Sequence, residues 1–172
     1  MRKAPVNSKR ENPRREDILE AALRLIGTGG VDSVTHRAVA QEAGVSLAAT
    51  TYYFDSKSVL IEEALERMVA RSIEDVRRHT ASPAKISRAE LIERIVAFAE
   101  AQAHDPGAFL TAQYELMLEA GRAEYLRPLA REWSIAYADC FTEIVRSAGL
   151  PRPPPGVRTD GIMIRAEPTT LD

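Results

Sequence analysis

Cysteine and long apolar runs are both scarce in this sequence. The single cysteine, Cys140, excludes an internal disulfide and a four-thiolate zinc site. No apolar run approaches the roughly 18 residues that cross a bilayer, and no apolar segment follows the basic N-terminus. We therefore expect a cytoplasmic protein that has no membrane partner.

The residues that carry enzyme chemistry are also few and dispersed. The three histidines, His36, His79 and His104, are too far apart in sequence to suggest a metal site. No Ser/His/Asp arrangement and no glycine-rich phosphate loop is present, so nothing supplies a nucleophile with its base and orienting group. We predict a protein that is not an enzyme and holds no metal or cofactor.

The net charge of −2 conceals an uneven distribution along the chain. Residues 1–15 carry six basic residues and one acidic residue, a net of +5, whereas the chain from Ser58 onward has a net of −4. A basic arm ahead of an acidic body suits a protein that contacts phosphate with one end. A solvated, disordered arm over residues 1–12 explains the same charges equally well.

Helical periodicity extends through nearly the whole chain, and no strand pattern is present, so we predict an all-α fold. Residues 13–80 contain three short helices followed by one of about 22 residues. The long helix has an apolar stripe formed by Ile61, Leu65, Met68, Val69, Ile73 and Val76. Gly29-Gly30 and Gly44 end the first two helices. The expected N-caps are Asn12 (ahead of Pro13), Thr35, Ser46 and either Asp55 or Ser56.

A break near Ser82 separates a second helical unit, residues 81–150. Ser87 and Glu90 predict a capping box for a fifth helix. A sixth helix should start at Asp105–Gly107, and a seventh should end at Gly149 with Pro128 in its first turn. Residues 151–172 form a proline-rich irregular tail. The expected inner face of the fifth helix comprises Leu91, Ile92, Ile95, Val96, Phe98 and Ala99.

Aromatic residues are scarce too, yet three of the ten stand together at Tyr52–Phe54. The short helix before them has small or polar side chains that suit close entry into the major groove of DNA. Threonine can hydrogen-bond to bases and contact thymine methyls, while a tyrosine hydroxyl can reach phosphate. Gly44-Val45 supplies the sharp turn between this helix and the one before it. The pattern predicts a helix-turn-helix whose second helix contacts DNA and whose Phe54 is the buried anchor.

Three motifs in this region resemble the DNA-binding domain of the tetracycline-repressor (TetR) family of bacterial regulators. They are T-x-R-x-V-A at Thr35–Ala40, A-G-V-S at Ala43–Ser46 and Y-Y-F-x-S-K at Tyr52–Lys57. The resemblance implies an N-terminal three-helix DNA-binding domain joined by a long helix to a helical domain for ligand binding and dimerisation. It also implies a homodimer that binds near-palindromic double-stranded DNA operators and leaves them when a small molecule binds.

The resemblance also assigns roles to individual residues. It implies phosphate contacts and base contacts, and Ser46 is a further expected DNA-binding residue. Thr51 replaces an aromatic residue that is common in the family, and Leu47 a residue that is often polar, so contact with thymine methyls is the expected use of Leu47. Simpler structural roles are also open: Arg37 as an ordinary surface residue, Tyr52 with its ring in the core, and Thr50 packed inward. The implied phosphate contacts are Thr35, Arg37, Tyr52, Tyr53 and Lys57, and the implied base contacts are Leu47, Ala48, Ala49 and Thr51.

A ligand site in the C-terminal half is expected from helical phase. Seven residues there could line an apolar pocket that has a few polar groups. For each of them alone, a satisfied core or rim position is the simpler explanation. These residues are Phe98, Gln102, Gln113, Tyr114, Met117, Trp133 and Tyr137.

The tail leaves a second interpretation open, a truncated helical interaction module with little or no specific DNA binding. Members of the resembled family continue through two more long helices that build the dimer interface, whereas here a proline-rich segment follows Gly149. A truncation, or a frameshift after about Ile162, would produce this pattern. Because those helices would build the dimer interface, we expect this chain, as given, to dimerise poorly and therefore to bind its operator poorly.

Overall fold

The computed structural model describes residues 12–81, 85–103 and 108–151. In that part of the chain every regular element is helical, which confirms the predicted all-α class. Several predictions lie outside these residues: the arm before Asn12, the helix start at Asp105–Gly107, and the tail beyond Pro151. The helices are α1 (Pro13–Gly29), α2 (His36–Glu42), α3 (Leu47–Tyr53), α4 (Lys57–Thr80), α5 (Arg88–Ala103), α6 (Ala108–Ala120) and α7 (Arg127–Ser147).

The N-terminal helices begin at the polar residues that the sequence predicted. At each N-cap the side-chain oxygen accepts a hydrogen bond from a backbone N–H two or three residues later, which satisfies a donor that the helix leaves unpaired. Ser56, rather than Asp55, caps α4. Two 3₁₀ turns, Val31–Ser33 and Glu124–Leu126, were not predicted. The confirmed caps are Asn12, Thr35, Ser46 and Ser56.

One apolar core joins the helices of the N-terminal half to α6 and α7. The stripe predicted on α4 is buried along its whole length, from Ile61 to Val76. Helix α1 packs on one end of that stripe and α7 on the other. Helix α6 lies against both α1 and α4. The long helix is therefore a shared wall of both halves, and displacing it disturbs both.

The inner face predicted for α5 is wrong in the described part of the chain. Leu91 is its one buried residue, and Phe98 is half-buried, whereas Ile92 is 61% exposed and Ile95 and Val96 are also exposed. The reason is that α5 packs on α4 and, through Phe98, on α7, whereas its other side has no extensive contact with a described element. Only half of the predicted capping box forms: Glu90 N donates to Ser87 Oγ, but the Glu90 carboxylate accepts from Arg94. The helix is thus held by few contacts.

Candidate nucleic-acid interface and ligand region

The turn between α2 and α3 sets the direction of α3. Gly44 has φ of 65°, a left-handed conformation that side chains disfavour. The N–H of Val45 donates to the Ala40 carbonyl at 2.9 Å, and the Val45 side chain packs against the core. The turn ends α2 and turns the chain so that α3 lies across it, as in a helix-turn-helix.

The inward side of α3 is fixed by two fully buried side chains, as the sequence predicted. The Thr50 hydroxyl donates to the Leu47 carbonyl at 2.8 Å and lies 3.4 Å from the His36 carbonyl of α2. Phe54 follows the last turn, buried completely, with the Arg15 guanidinium 5.2 Å from its ring centroid. Packing at Thr50 and Phe54 therefore fixes the rotation of α3 about its own axis.

The opposite side of α3 is exposed. Leu47, Ala48, Thr51 and Tyr52 recur at the spacing of one helical face, and all four are exposed. Tyr52 is 62% exposed, so the alternative role with its ring in the core is wrong. A position two residues after buried Thr50 is rotated by about 200° on a helix and must face outward.

The remaining predicted DNA contacts surround this face. Thr35 and Arg37 are exposed on α2, and Ser46 is exposed at the N-terminus of α3. Ala49 is half-buried on the side of the helix. Tyr53 is half-buried with its ring 5.1 Å from that of Tyr52.

Lys57 lies in the first turn of α4, and its Nζ is 3.4 Å from the Asp32 carbonyl oxygen. Within the described ranges no carboxylate lies within 4.0 Å of its Nζ. A cation in the first turn of a helix is unfavourable by the dipole argument, so the Lys57 position favours an external anion.

An ion pair that sequence reasoning missed attaches α2 to α1. The Arg24 side chain donates to the Glu42 carboxylate at 2.6 Å. The two residues are 18 positions apart, so no helical spacing predicts the pair. Such half-exposed pairs stabilise by about 0.2–1 kcal/mol, enough to steady the angle between two short helices.

The predicted ligand residues divide into those that meet and those that do not. Phe98 of α5 and Tyr137 of α7 have ring centroids 6.2 Å apart, and Gln102 Nε2 lies 3.4 Å from the Tyr137 hydroxyl. Trp133 lies 4.5 Å from Tyr137, ring to ring. Four of the seven predicted residues therefore meet where α5 approaches α7.

The other three ligand predictions lie on α6. Gln113 is buried and Met117 packs against the core. Tyr114 is 61% exposed, so its inclusion in a pocket is wrong. On α6 the buried residues Ala112, Gln113 and Leu116 define the inward direction, and position 114 falls outside that arc.

Ser72 of α4 is the centre of this region, and the sequence analysis missed it. The hydroxyl is fully buried; it accepts from Trp133 Nε1 at 2.9 Å and lies 2.5 Å from the Tyr137 hydroxyl. Burial raises the pKa of Tyr137, with Asp75 adding to the rise and the Ser72 hydrogen bond opposing it, so the phenol is neutral at physiological pH. A serine inside the apolar stripe of α4, between Met68 and Val76, was the available signal.

His79 and Phe141 were missed as well. The His79 ring lies 5.5 Å from that of Phe98, and its Nδ1 donates to the Asp75 carbonyl at 2.8 Å. Phe141 lies 5.6 Å from Phe98. The spacing of Trp133, Tyr137 and Phe141, four residues apart, would have placed Phe141 on the same face of α7.

A groove of about 920 Å³ opens elsewhere, between α1 and α4. Its walls are mostly charged, unlike the apolar pocket that the sequence predicted. Arg67 forms ion pairs with Glu16 and Glu20, and Arg15 pairs with Glu63 across the groove. We take this groove to be an ion-paired seam between two helices, because five of its eight charged residues form these ion pairs.

The described residues offer neither a membrane span nor a metal site. No helix there is both long and apolar enough to cross a membrane. No three His, Cys, Asp or Glu side chains in the same part of the chain are arranged to hold a metal ion.

Two parts of the chain match known protein families. Residues 18–64 match the family profile described as bacterial regulatory proteins, tetR family, and residues 87–166 match the tetracyclin repressor-like C-terminal domain. The chain belongs to the TetR family. This membership confirms the resemblance seen in the three sequence motifs.

Individual TetR-family relatives are similar over most of this chain. A nicotine-responsive transcriptional repressor, HdnoR of Paenarthrobacter nicotinovorans, is 29% identical over 76% of this chain and 65% of its own. The Streptomyces coelicolor regulator SCO7518 has a TM-score of 0.64 at 29% identity, covering 80% of each chain. The multidrug binding protein EbrR, complexed with ethidium, has a TM-score of 0.59 at 30% identity, covering 79% of this chain and 80% of EbrR. This chain spans 65% of HdnoR and a smaller share of several other curated regulators.

Proposed function

We propose that this protein is a DNA-binding transcriptional regulator, a repressor that leaves its operator when a small molecule binds its C-terminal domain. The observation that carries the proposal is the outward face of α3, which is exposed although it includes Leu47 and Tyr52. The helix itself is rigidly held by Thr50 and Phe54. Exposed apolar groups on a fixed helix indicate a binding surface. Bacterial operators are cytoplasmic, so we place the protein there.

The proposed DNA contacts divide by chemistry. Leu47, Ala48, Ala49 and Thr51 contact base edges, chiefly by van der Waals contact with thymine methyls. Hydroxyl and cationic groups around them contact phosphates, which positions the helix without specifying sequence. Those groups belong to Thr35, Arg37, Ser46, Tyr52, Tyr53 and Lys57.

Substitutions at Lys57 and Thr51 test this division of roles. Operator fragments are first selected from a random duplex library at a stated salt concentration, since phosphate contacts make the affinity salt-dependent. We expect Lys57→Gln to weaken binding to all sequences alike and to lower the salt slope by about one. We expect Thr51→Ala to change the preference at one base pair by ~1–3 kcal/mol. Gel shifts on a panel of single-base operator variants measure both effects.

The matched control is Ser134→Ala, a half-buried hydroxyl on α7 far from α3 in sequence and bonded within its own helix. It should leave both affinity and preference unchanged. If Thr51→Ala kept the original preference while Lys57→Gln altered it, the roles would be reversed. If no duplex were enriched, the alternative of a helical interaction module without specific DNA binding would replace the proposal.

A small-molecule effector is supported by an unsatisfied polar group inside the C-terminal half. Gln113 is 3% exposed, and nothing in the described part of the chain bonds to its Nε2. A buried, unpaired donor costs about 1–3 kcal/mol, which a bound ligand would offset. HdnoR is named as nicotine-responsive, and EbrR was crystallised with ethidium. We propose that an effector also binds the C-terminal half of this chain.

The route from effector to DNA passes through α4. Ser72 on α4 is bonded to Trp133 and Tyr137 of α7, and the same helix begins at Lys57 beside the DNA-contacting face. An effector that separates α7 from Ser72 favours a second position of α4 and misplaces α3. Such coupling is reciprocal, because DNA must then weaken effector binding by the same factor.

A further inference from the structure

Arg15 of α1 belongs to the basic stretch at the start of the chain, yet its side chain is turned inward. That side chain is only 14% exposed, whereas the neighbouring Arg14 is exposed. A side chain that contacts phosphate must present its charge at the surface. Arg15 therefore has a different role from the one that its place in the basic stretch suggests.

The guanidinium of Arg15 contacts two other elements at once. It lies over the ring of Phe54, the residue that ends α3, at 5.2 Å from the ring centroid. It also forms an ion pair with the Glu63 carboxylate on the second turn of α4, and another of its nitrogens lies 4.0 Å from the Glu16 carboxylate. One side chain of α1 thus joins the end of α3 to the start of α4.

The charge makes this contact selective for one arrangement of the helices. A cation in the first turn of a helix is disfavoured by the helix dipole, and partial burial adds a cost of desolvation. The Phe54 ring face and the Glu63 carboxylate offset both costs, but only where they lie within reach of the guanidinium. An apolar contact is non-directional and tolerates sliding, whereas this contact is lost when α3 or α4 moves away.

The C-terminal end of α3 is the place where such a contact matters. Helix α3 packs chiefly on α2 and has few contacts with α1. Thr50 holds its middle, and Phe54 holds its end. Because Arg15 joins Phe54 to α4, the angle of α3 is tied to the position of the long helix. The ion pairs of Arg67 with α1 continue the same seam one turn farther along α4.

We propose that Arg15 is a positioning residue for DNA recognition, which sets the angle of α3 through Phe54 and Glu63 and does not contact DNA itself. This inference rests on the proposed function, since it concerns how the DNA-contacting helix is held. Sequence-specific binding requires the base contacts of α3 to fit together, whereas non-specific binding depends on phosphate charges. Loss of Arg15 therefore weakens operator binding selectively.

The first test replaces Arg15 by Met, which keeps a long apolar side chain over Phe54 and removes the charge. Fluorescence anisotropy of the full chain measures binding to the selected operator and to an unrelated duplex of equal length, over a series of salt concentrations. We expect Arg15→Met to weaken operator binding roughly tenfold, about the effect of one mismatched base pair. Affinity for the unrelated duplex and the salt slopes should match the parent, because no phosphate contact is lost.

The matched control is Arg122→Met. Arg122 is 75% exposed in the turn after α6 and pairs with Glu119 three residues earlier, so its loss should leave binding to both duplexes unchanged. Two results for Arg15→Met would overturn the inference. Weaker binding to both duplexes, with a salt slope lowered by about one, would make Arg15 a phosphate contact. Parent affinity for the operator, with only a lower melting temperature, would make its role purely structural.

Glu63→Gln tests the same pair from the other side, and it carries the prediction if Arg15→Met does not fold. It should also weaken operator binding and spare the unrelated duplex. The double variant should bind the operator no more weakly than the weaker single variant, because the two substitutions remove one interaction. Losses that add would contradict the pairing.

Operator binding by the parent chain separates this inference from the proposed function. If the parent selects an operator and both single variants bind it with parent affinity, the proposed function stands and only this inference fails. If the parent selects no duplex, the proposed function fails and this inference fails with it.

Discussion

At the scale of single residues, two neighbouring aromatic side chains have different roles. One anchors α3 in the core, and the other is a proposed DNA contact. Tyr52 and Phe54 are two positions apart in one motif, yet the first is exposed and the second is fully buried. Phe54 ends α3 and precedes α4, so it joins the DNA-contacting helix to the long one. The sequence predicted Phe54 as the buried anchor, and its complete burial confirms that prediction.

Replacing Phe54 therefore tests its role as an anchor. We expect Phe54→Ala to destabilise the protein by about 3–5 kcal/mol, because it removes a buried ring and leaves a cavity. Tyr52→Ala, the control in the same motif, should change stability by no more than about 0.5 kcal/mol. Urea unfolding followed by far-ultraviolet circular dichroism measures both. Comparable losses in the two variants would contradict the assignment of Phe54 as the anchor.

At the scale of helices, the sequence predicted elements well wherever a local signal sets their ends. The caps at Thr35, Ser46 and Ser56 are short-range hydrogen bonds, so a few adjacent residues determine them. The buried stripe of α4 was predicted for a similar reason, because apolar residues that recur with the helical period lie on one face of the helix.

The failures at this scale have a common physical origin in long-range packing. Periodicity shows that α5 has apolar stripes but not which neighbours cover them, so Ile92 and Val96 were wrongly placed inside. Ser72 was overlooked because a serine in an apolar stripe looks like a defect until Trp133 and Tyr137 are seen to bond to it. Helical phase did predict four residues that meet where α5 approaches α7, namely Phe98, Gln102, Trp133 and Tyr137.

The weak attachment of α5 gives a prediction at the same scale. Local opening is easiest where few apolar groups are buried, so α5 should open far more readily than the middle of α4. We expect peptides that cover residues 92–103 to exchange amide hydrogens at least tenfold faster than peptides that cover residues 60–73. Hydrogen exchange with mass spectrometry measures this. Equal protection of the two helices would contradict the weak attachment of α5.

At the scale of the whole molecule, one continuous core connects the two halves of the chain. Ile18 and Leu23 of α1 and Ala130 of α7 belong to the same cluster of buried residues. A displacement that starts at α7 therefore has a packed path to the DNA-contacting helices. Packed interiors respond to such displacements by switching between arrangements more readily than by bending gradually.

The proposed operator also belongs to this scale. The TetR resemblance implies two copies bound to a near-palindromic site, and half-sites are spaced by one helical turn or a multiple of it. Inserting 5 base pairs between the half-sites should weaken binding by at least tenfold, because it rotates one half-site to the opposite side of the duplex. Quantitative gel shifts on the original and lengthened duplexes measure this effect, with a 5-base-pair insertion outside the operator as the control. A single half-site bound with undiminished affinity would contradict paired binding.

The bonded triplet of Ser72, Trp133 and Tyr137 has one more consequence. Trp133 is the only tryptophan in the chain, and its indole Nε1 donates to Ser72 Oγ at 2.9 Å beside the Tyr137 ring. The wavelength at which an indole emits depends on its polarity and hydrogen bonding. The junction between α7 and α4 thus carries a native optical reporter, whose emission can be followed without any label.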